Sequence, residues 1–324
     1  MPRVCLVLET EEESGSENLI PLLKQAEGAT GVPDFLFCMD SGCIDYDQLW
    51  MTSSLRGVAM IDFEVKVGTA GYHSGEVGGI VPETFRIVRQ LLDRLDDAKD
   101  GTPCKELQAD CPDWKLKEAE YLTQLKGMEL CTKFPIQEGC KYAIHEGGLV
   151  DMYLNNVWKS NLSITGIDGI PPVSSAGNVV RPSTALRISM RLSPVMDPEE
   201  ACKIMEKKLT TDVPYNAQVK ILRSANGWGW CMKDPEEWLA KAIRQAGSDF
   251  FDGKSTGSYG EGGSIPFLKE LELLYPKTQI IALGVGGPES NAHAPNEMIH
   301  LPYTKKVTCA LAHIIQACSS YKSS

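Results

Sequence analysis

Val4-Cys5-Leu6-Val7-Leu8-Glu9-Thr10-Glu11-Glu12-Glu13-Ser14-Gly15-Ser16-Glu17 sets the fold expected of this chain. Its short apolar run, residues 4–8, predicts a buried strand. Three adjacent carboxylates follow, and like charges a few ångströms apart resist joint ionisation. A fold keeps such a cluster because water solvates it, or because a cation and a proton-transfer task need it. An acidic run alone is more often a solvated patch. Its position between an apolar strand and a helix start weakens that reading and leaves both explanations open. Ser14 and Glu17 fit a capping box that opens a helix over residues 17–26.

Outward from this junction, residues 34–39 form a second short apolar strand that ends at Asp40-Ser41-Gly42. Two acidic groups thus lie past the ends of successive strands with a helix between them. In open α/β sheets, ligand sites gather just outside the carboxyl ends of strands. The pattern changes after Leu55. Residues 60–67 alternate as a half-buried strand, with Ile61, Phe63, Val65 and Val67 on one face. A glycine-rich turn carries His73, where glycines suggest close backbone approach. Pro82 opens an amphipathic helix with Phe85, Val88, Leu91, Leu92 and Leu95 in one stripe. A charged loop over 97–115, a helix over 115–127, a strand over 185–192, a helix over 197–209 and a strand over 216–222 complete an α+β segment. Asn226-Gly227-Trp228-Gly229-Trp230 marks the return. A helix over 235–247, the Gly260-to-Pro266 loop with a helix behind it, a strand over 278–283, a loop carrying His293 and a helix over 304–318 restore α/β character. The expected architecture is one α/β domain, residues 1–56 and 231–324, interrupted by an inserted α+β domain, residues 57–230.

Composition bounds the function. The 324 residues are 43% hydrophobic and 23% charged, within the range of soluble globular proteins. A net charge of -11 and the lack of a Lys/Arg block argue against nucleic acid as a partner. No apolar run approaches the ~18 residues that span a membrane, and no secretory signal follows Met-Pro-Arg. The 11 cysteines are dispersed and include no C-x-x-C pair. A cytoplasmic, reducing environment is therefore expected.

His313 in the apolar last helix, His300 and His145 are expected to be structural. His293, in Asn-Ala-His-Ala-Pro-Asn-Glu, has no apolar neighbours to bury it. The run from Gly247 to Ser255 departs from P-loop spacing, and Gly284-Val285-Gly286-Gly287 lacks G-x-G-x-x-G, so neither supports a nucleotide site. Glu12, Glu13, Asp40 and His293 together suit a metal-assisted hydrolase. Carboxylate and imidazole ligands suit zinc or manganese, and a free carboxylate beside them can take a proton from water.

Glu12-Glu13-Ser14-Gly15-Ser16-Glu17, Asp40, His73-Ser74-Gly75 with Gly78-Gly79, the strand from Arg187 to Leu192, Glu261-Gly262-Gly263-Ser264-Ile265-Pro266 and His293 occur in order. This set resembles the dinuclear-zinc metallopeptidases that include cytosolic dipeptidases, carnosinases and glutamate carboxypeptidases. The resemblance implies a zinc-peptidase catalytic domain with an inserted lid and dimerisation domain, two Zn2+ per subunit (with Mn2+ as an alternative), a small peptide substrate and a homodimer. It implies Glu12 as the catalytic base and acid, Glu13 and His293 as ligands of one metal, and Asp40 as a ligand of the other. Adjacent residues of a regular strand point opposite ways, so Glu12 and Glu13 serve one site only if the backbone turns there. Arg191 matches the position that grips the substrate's terminal carboxylate, a task suited to a guanidinium fork. Gly262, Gly263 and Ser264 would line the substrate pocket. His73 and Asn178 match lid residues that reach the partner subunit's site and stabilise the oxyanion.

Two departures accompany the match. The family's His-x-Asp and Asp-Asp motifs, which supply metal ligands upstream of the Glu-Glu pair, do not precede Glu12. The histidine that dipeptidases carry near the end of the lid is missing from Arg223-Ser224-Ala225-Asn226-Gly227-Trp228. The catalytic domain is accordingly expected to be incomplete at its N-terminus, with weakened metal binding. The alternative expectation is a catalytically impaired homologue that serves as a dimerising or interaction module.

Overall fold

A computed structural model describes residues 3–12 and 15–322. Among the described residues the strands are β1 Phe35–Gly42, β2 Trp50–Leu55, β3 Gly57–Lys66, β4 Tyr72–His73, β5 Asn161–Asp168, β6 Val179–Val180, β7 Ser183–Leu192, β8 Gln218–Gly227, β9 Trp230–Cys231, β10 Gly257–Glu261 and β11 Gln279–Gly286. The α-helices are α1 Leu19–Thr30, α2 Ser74–Val77, α3 Thr84–Leu92, α4 Asp113–Lys126, α5 Glu129–Thr132, α6 Gly148–Val157, α7 Pro198–Thr210, α8 Glu237–Phe250, α9 Phe267–Leu274 and α10 Leu301–Lys322. They fall into two compact units. One comprises Met1–Leu55, Trp230–Glu261 and Ile265–Ser324; the other comprises Arg56–Gly229 with Gly262–Ser264. Among the described residues, no helix is long and apolar enough to cross a membrane.

The first unit is built on a mixed sheet of order β1-β11-β2-β10, with β9 added to β2. β1 pairs parallel with β11, and β10 pairs parallel with β2. Leu19 of α1 and Phe267, Leu268 and Leu271 of α9 share a core with Cys38, Leu55, Ile280 and Ala282 of the sheet. Every residue of β2 is buried, including Thr52, Ser53 and Ser54. Ser41 Oγ lies 2.7 Å from Thr52 Oγ1, and Met232 N donates to Ser53 O, which satisfies part of that polar content. β1 and β11 approach so closely that a Cβ at Gly284 would lie 1.4 Å from Ser41 O. The glycines at this strand end serve backbone approach.

Residues 4–8, expected as a strand, carry no strand assignment, and Leu6 and Leu8 are both 80% exposed. Apolar composition alone does not make a strand without a ladder partner. Helix α1 starts at Asn18 as its N-cap. The capping residue expected, Ser14, lies outside the described residues.

The second unit is an antiparallel sheet of order β5-β7-β3-β8 with helices on one face. β3 alternates strictly, burying Ala59, Ile61, Phe63 and Val65, and β7 buries Leu186, Ile188, Met190 and Leu192 in register with it. Ile87, Val88 and Leu91 of α3 and Ala201, Cys202, Met205 and Leu209 of α7 cover that face. The stripe on α3 therefore runs through Ile87, while Phe85 is 37% exposed. Helix α7 carries its own start and stop chemistry. Asp197 accepts from Glu199 N and Glu200 N, Pro198 occupies the first turn, and Lys207 and Lys208 close the last turn against the helix dipole. β5 and α6 had no sequence counterpart, because β5 is mostly exposed and does not alternate.

Phe63 is wholly buried, so Phe63→Ala should lower the unfolding free energy by ~3–5 kcal/mol. Asp197→Ala, which removes only a cap, should cost ~1 kcal/mol. Urea denaturation of the two variants measures both.

Candidate functional site

In the second unit, Arg191 sits near the end of β7, between Val58 of β3 and Asn161 of β5. Its guanidinium is half-buried, and Nη1 donates to Ser264 Oγ at 3.3 Å. Burial lowers its pKa. The Gly262 carbonyl accepts from Arg56 Nε at 3.1 Å, and Gly263 is exposed. Of the residues expected at the substrate site, Arg191, Ser264 and Gly262 therefore lie within one hydrogen-bonded neighbourhood. Arg56 was not singled out from the sequence. The available signal was a lone cation in the otherwise apolar or small-residue run from Leu55 to Ala59.

His73 and Asn178 also come together. β4 and β6 form a two-stranded sheet in which His73 pairs with Val179, and Ser74 N donates to the Asn178 carbonyl at 2.9 Å. His73 caps α2, its Nδ1 accepting from Gly75 N at 3.2 Å. Both residues are exposed.

Glu11, Glu12, Asp40, Glu261 and His293 belong to the first unit. Gly15 N donates to Glu12 O, and Gly15 and Ser16 both take positive φ, 102° and 51°. Glu11 faces α1, its two carboxylate oxygens accepting from Asn18 Nδ2 at 3.0 and 2.8 Å. Glu12 is half-buried, and Glu13 lies outside the described residues. Asp40 is exposed on β1, inside an irregularity of register between Cys38 and Ser41. The buried Cys38 thiol is pushed up to about 12, first by burial, then by the charge of Asp40, with Glu12 and Glu261 adding to it. Glu261, at the end of β10, is a further carboxylate of this neighbourhood. It accepts from Gly42 N at 3.1 Å, from Thr52 Oγ1 at 3.4 Å and from the Tyr259 hydroxyl. Burial, then the charge and hydrogen bond of Glu261, raise Tyr259 well above its usual pKa. His293 is exposed in the loop after β11, with φ 61°.

These positions bear on the expected metal centre. Among the described residues, no group of three His, Cys, Asp or Glu side chains is arranged to hold a metal ion. The expected ligand set, Glu13 and His293 for one metal and Asp40 for the other, extends beyond the described residues, because Glu13 lies outside them. Two of the other histidines have packing roles. His300 stacks on Tyr46 at 4.0 Å and accepts from Tyr303 N, and His313 packs edge-on to Phe250.

A model of the peptidase dimerisation domain matches residues 55–216. With that match over half its length, the chain belongs to the M20 metallopeptidase family, and membership implies a metal cofactor. A cysteinylglycine-S-conjugate dipeptidase of Corynebacterium striatum is 22% identical over 311 residues, covering 96% of this chain and 66% of that protein. The Cys-Gly metallodipeptidase DUG1 of Saccharomyces cerevisiae is 25% identical over 306 residues, covering 90% of this chain and 60% of that protein. The M20 family metallo-carboxypeptidase Sso-CP2 of Sulfolobus solfataricus shares the fold, with a TM-score of 0.69 at 17% identity over 94% of this chain and 68% of that one. The chain thus spans less than two thirds of the length of the two dipeptidases.

The thiols supply a pH test. Cys43, like Cys38, is pushed up to about 12, chiefly by burial, with Asp45 and Glu261 adding to the rise. The folded state holds both protons more tightly than the unfolded state. Their contribution to stability is complete below the usual thiol value of 9.0 and is lost as pH rises from there toward about 12. Unfolding measured across that window should show stability falling. At pH 8, alkylation read by mass spectrometry should label exposed Cys140 and Cys309 while Cys38 and Cys43 stay protected.

Proposed function

We propose that this chain is part of a peptidase that hydrolyses dipeptides or releases C-terminal residues from short peptides. The observation that carries this reading is the half-buried Arg191 guanidinium bonded to Ser264 at the edge of Gly262–Ser264. A guanidinium beside a small, glycine-rich segment suits a terminal carboxylate, because the planar fork pairs bidentately and glycines leave room for a ligand backbone. The dipeptidase names of the two relatives agree with a substrate that ends at such a group.

In this reading Arg191 holds the carboxylate, with Ser264 orienting the guanidinium and Gly262 and Gly263 bordering the ligand. Glu12 takes a proton from the attacking water and returns it to the leaving amine. His73 and Asn178 donate to the developing oxyanion in a second copy of the chain, so the unit bearing the dimerisation domain forms a homodimer. Glu13, Asp40 and His293 are assigned to the metal centre, zinc being the ion that best suits carboxylate and imidazole ligands. The described residues alone do not complete that centre. Eleven free cysteines agree with a reducing cytoplasm.

Hydrolysis of a dipeptide panel tests the reading. Activity should be lost on chelation, and Glu12→Ala should lower kcat by about 10²–10⁴-fold. Arg191→Met should raise KM for free dipeptides far more than for their C-terminal amides. Absence of turnover in metal-supplemented protein, with every dipeptide tried, would overturn it for this chain.

A further inference from the structure

Arg56 has no part in the roles assigned above, although its guanidinium is among the most deeply buried charges of the second unit. It is 7% exposed. Nε donates to the Gly262 carbonyl at 3.1 Å, and Nη1 donates to the carbonyls of Asn155 at 3.2 Å and Lys159 at 3.3 Å. All three acceptors are neutral. Nη2 donates to none of the described residues and lies 3.1 Å from the point a Gly262 Cβ would occupy. The charged group that acts on Arg56 is another cation, Arg191. Burial, with Arg191 adding to it, pushes the Arg56 guanidinium down to about 10.

A buried cation without a counter-ion is strongly unfavourable, and a bound anion relieves it. Here two guanidiniums converge on one three-residue segment. Arg56 bonds its first residue through the Gly262 carbonyl, and Arg191 bonds its last through Ser264 Oγ. Between them Gly263 is exposed, with nothing within 4 Å of where a Cβ would sit. Gly262 is confined to glycine by the same arrangement, since a Cβ there would meet the Asn156 carbonyl at 2.9 Å as well as Arg56 Nη2. A guanidinium more than nine-tenths buried, a second guanidinium and an open glycine thus lie along one short segment.

We propose that Arg56 and Arg191 form a single anion subsite along Gly262–Ser264. Arg191 is the contacting group. Arg56 is the positioning residue, which holds the backbone of the segment and supplies the second positive charge. The ligand is the terminal carboxylate of a short peptide, and in this respect the inference rests on the function proposed above.

Calorimetric titration with glycylglycine and with glycylglycine amide, in chelator to hold back turnover, tests the subsite. The wild-type chain should bind the acid about tenfold or more tightly than the amide. Arg191→Met should abolish that preference. Arg56→Met should reduce it to about threefold or less, and Arg56→Lys, which keeps the charge but loses the fork, should fall between. Gly262→Ala, which displaces Arg56 without removing it, should also weaken the preference and serves if Arg56→Met does not fold. An undiminished preference in Arg56→Met, or equal loss of acid and amide binding, would overturn the role of Arg56. If the wild type does not distinguish acid from amide, the carboxylate reading of Arg191 fails first, and the subsite fails with it.

Discussion

The guanidinium of Arg56 is buried against carbonyl oxygens alone, and much of the second unit is arranged around that constraint. Removing a cation from water costs several kcal/mol even after relaxation. Three hydrogen bonds to a charged donor, each worth ~1.5–3 kcal/mol, offset part of that cost. Two of the acceptors, Asn155 in the last turn of α6 and Lys159 just past it, lie where helix-end carbonyls lack internal partners. Their capture ties down the segment between the end of α6 at Val157 and the start of β5 at Asn161. β5 then meets β7 in a register that sets Asn161 opposite Arg191. The position of the candidate ligand-gripping arginine thus follows from the solvation needs of another arginine.

The first unit is governed by a different balance. Glu12, Asp40 and Glu261 all act on the buried Cys38 thiol, and Glu261 also raises Tyr259 and Cys43. Concentrated negative charge over buried acids keeps those acids protonated. Glu261 is held by a backbone N–H, a threonine hydroxyl and a tyrosine hydroxyl. These donors give it a defined orientation with no cationic partner among the described residues, which is an uncommon way to keep a carboxylate half-buried. Its neighbours come from β1, β2 and β10, so the sheet itself assembles the acidic neighbourhood.

Membership of the M20 metallopeptidase family connects these two local pictures, since the family combines a dimerisation domain with a metal-dependent catalytic domain. The described residues include the arginine–serine–glycine neighbourhood, and among them no group of three His, Cys, Asp or Glu side chains is arranged to hold a metal ion. The chain spans 66% and 60% of the length of two related dipeptidases.

Alternation was legible in the residues themselves. Ile61, Phe63 and Val65 read as one buried face before any partner was known, because strand side chains alternate with a period of two. The helices at α4, α7 and α8, the interruption of an α/β pattern after Leu55 and the ordered motifs of the peptidases were equally local in origin. The strand expected at residues 4–8 failed because a strand is defined by its partner. β2 escaped notice because Thr52, Ser53 and Ser54 are buried polar residues, satisfied only by groups remote in sequence. Arg56 escaped for the same reason: its burial, its acceptors at 155, 159 and 262, and its nearness to Arg191 arise from contacts across more than 90 residues. Sequence determined which chemistry was available, through short-range periodicity and motif order. Tertiary structure decided which charges are buried, which are paired and which converge, because solvation and Coulomb energies depend on distances that no local pattern contains.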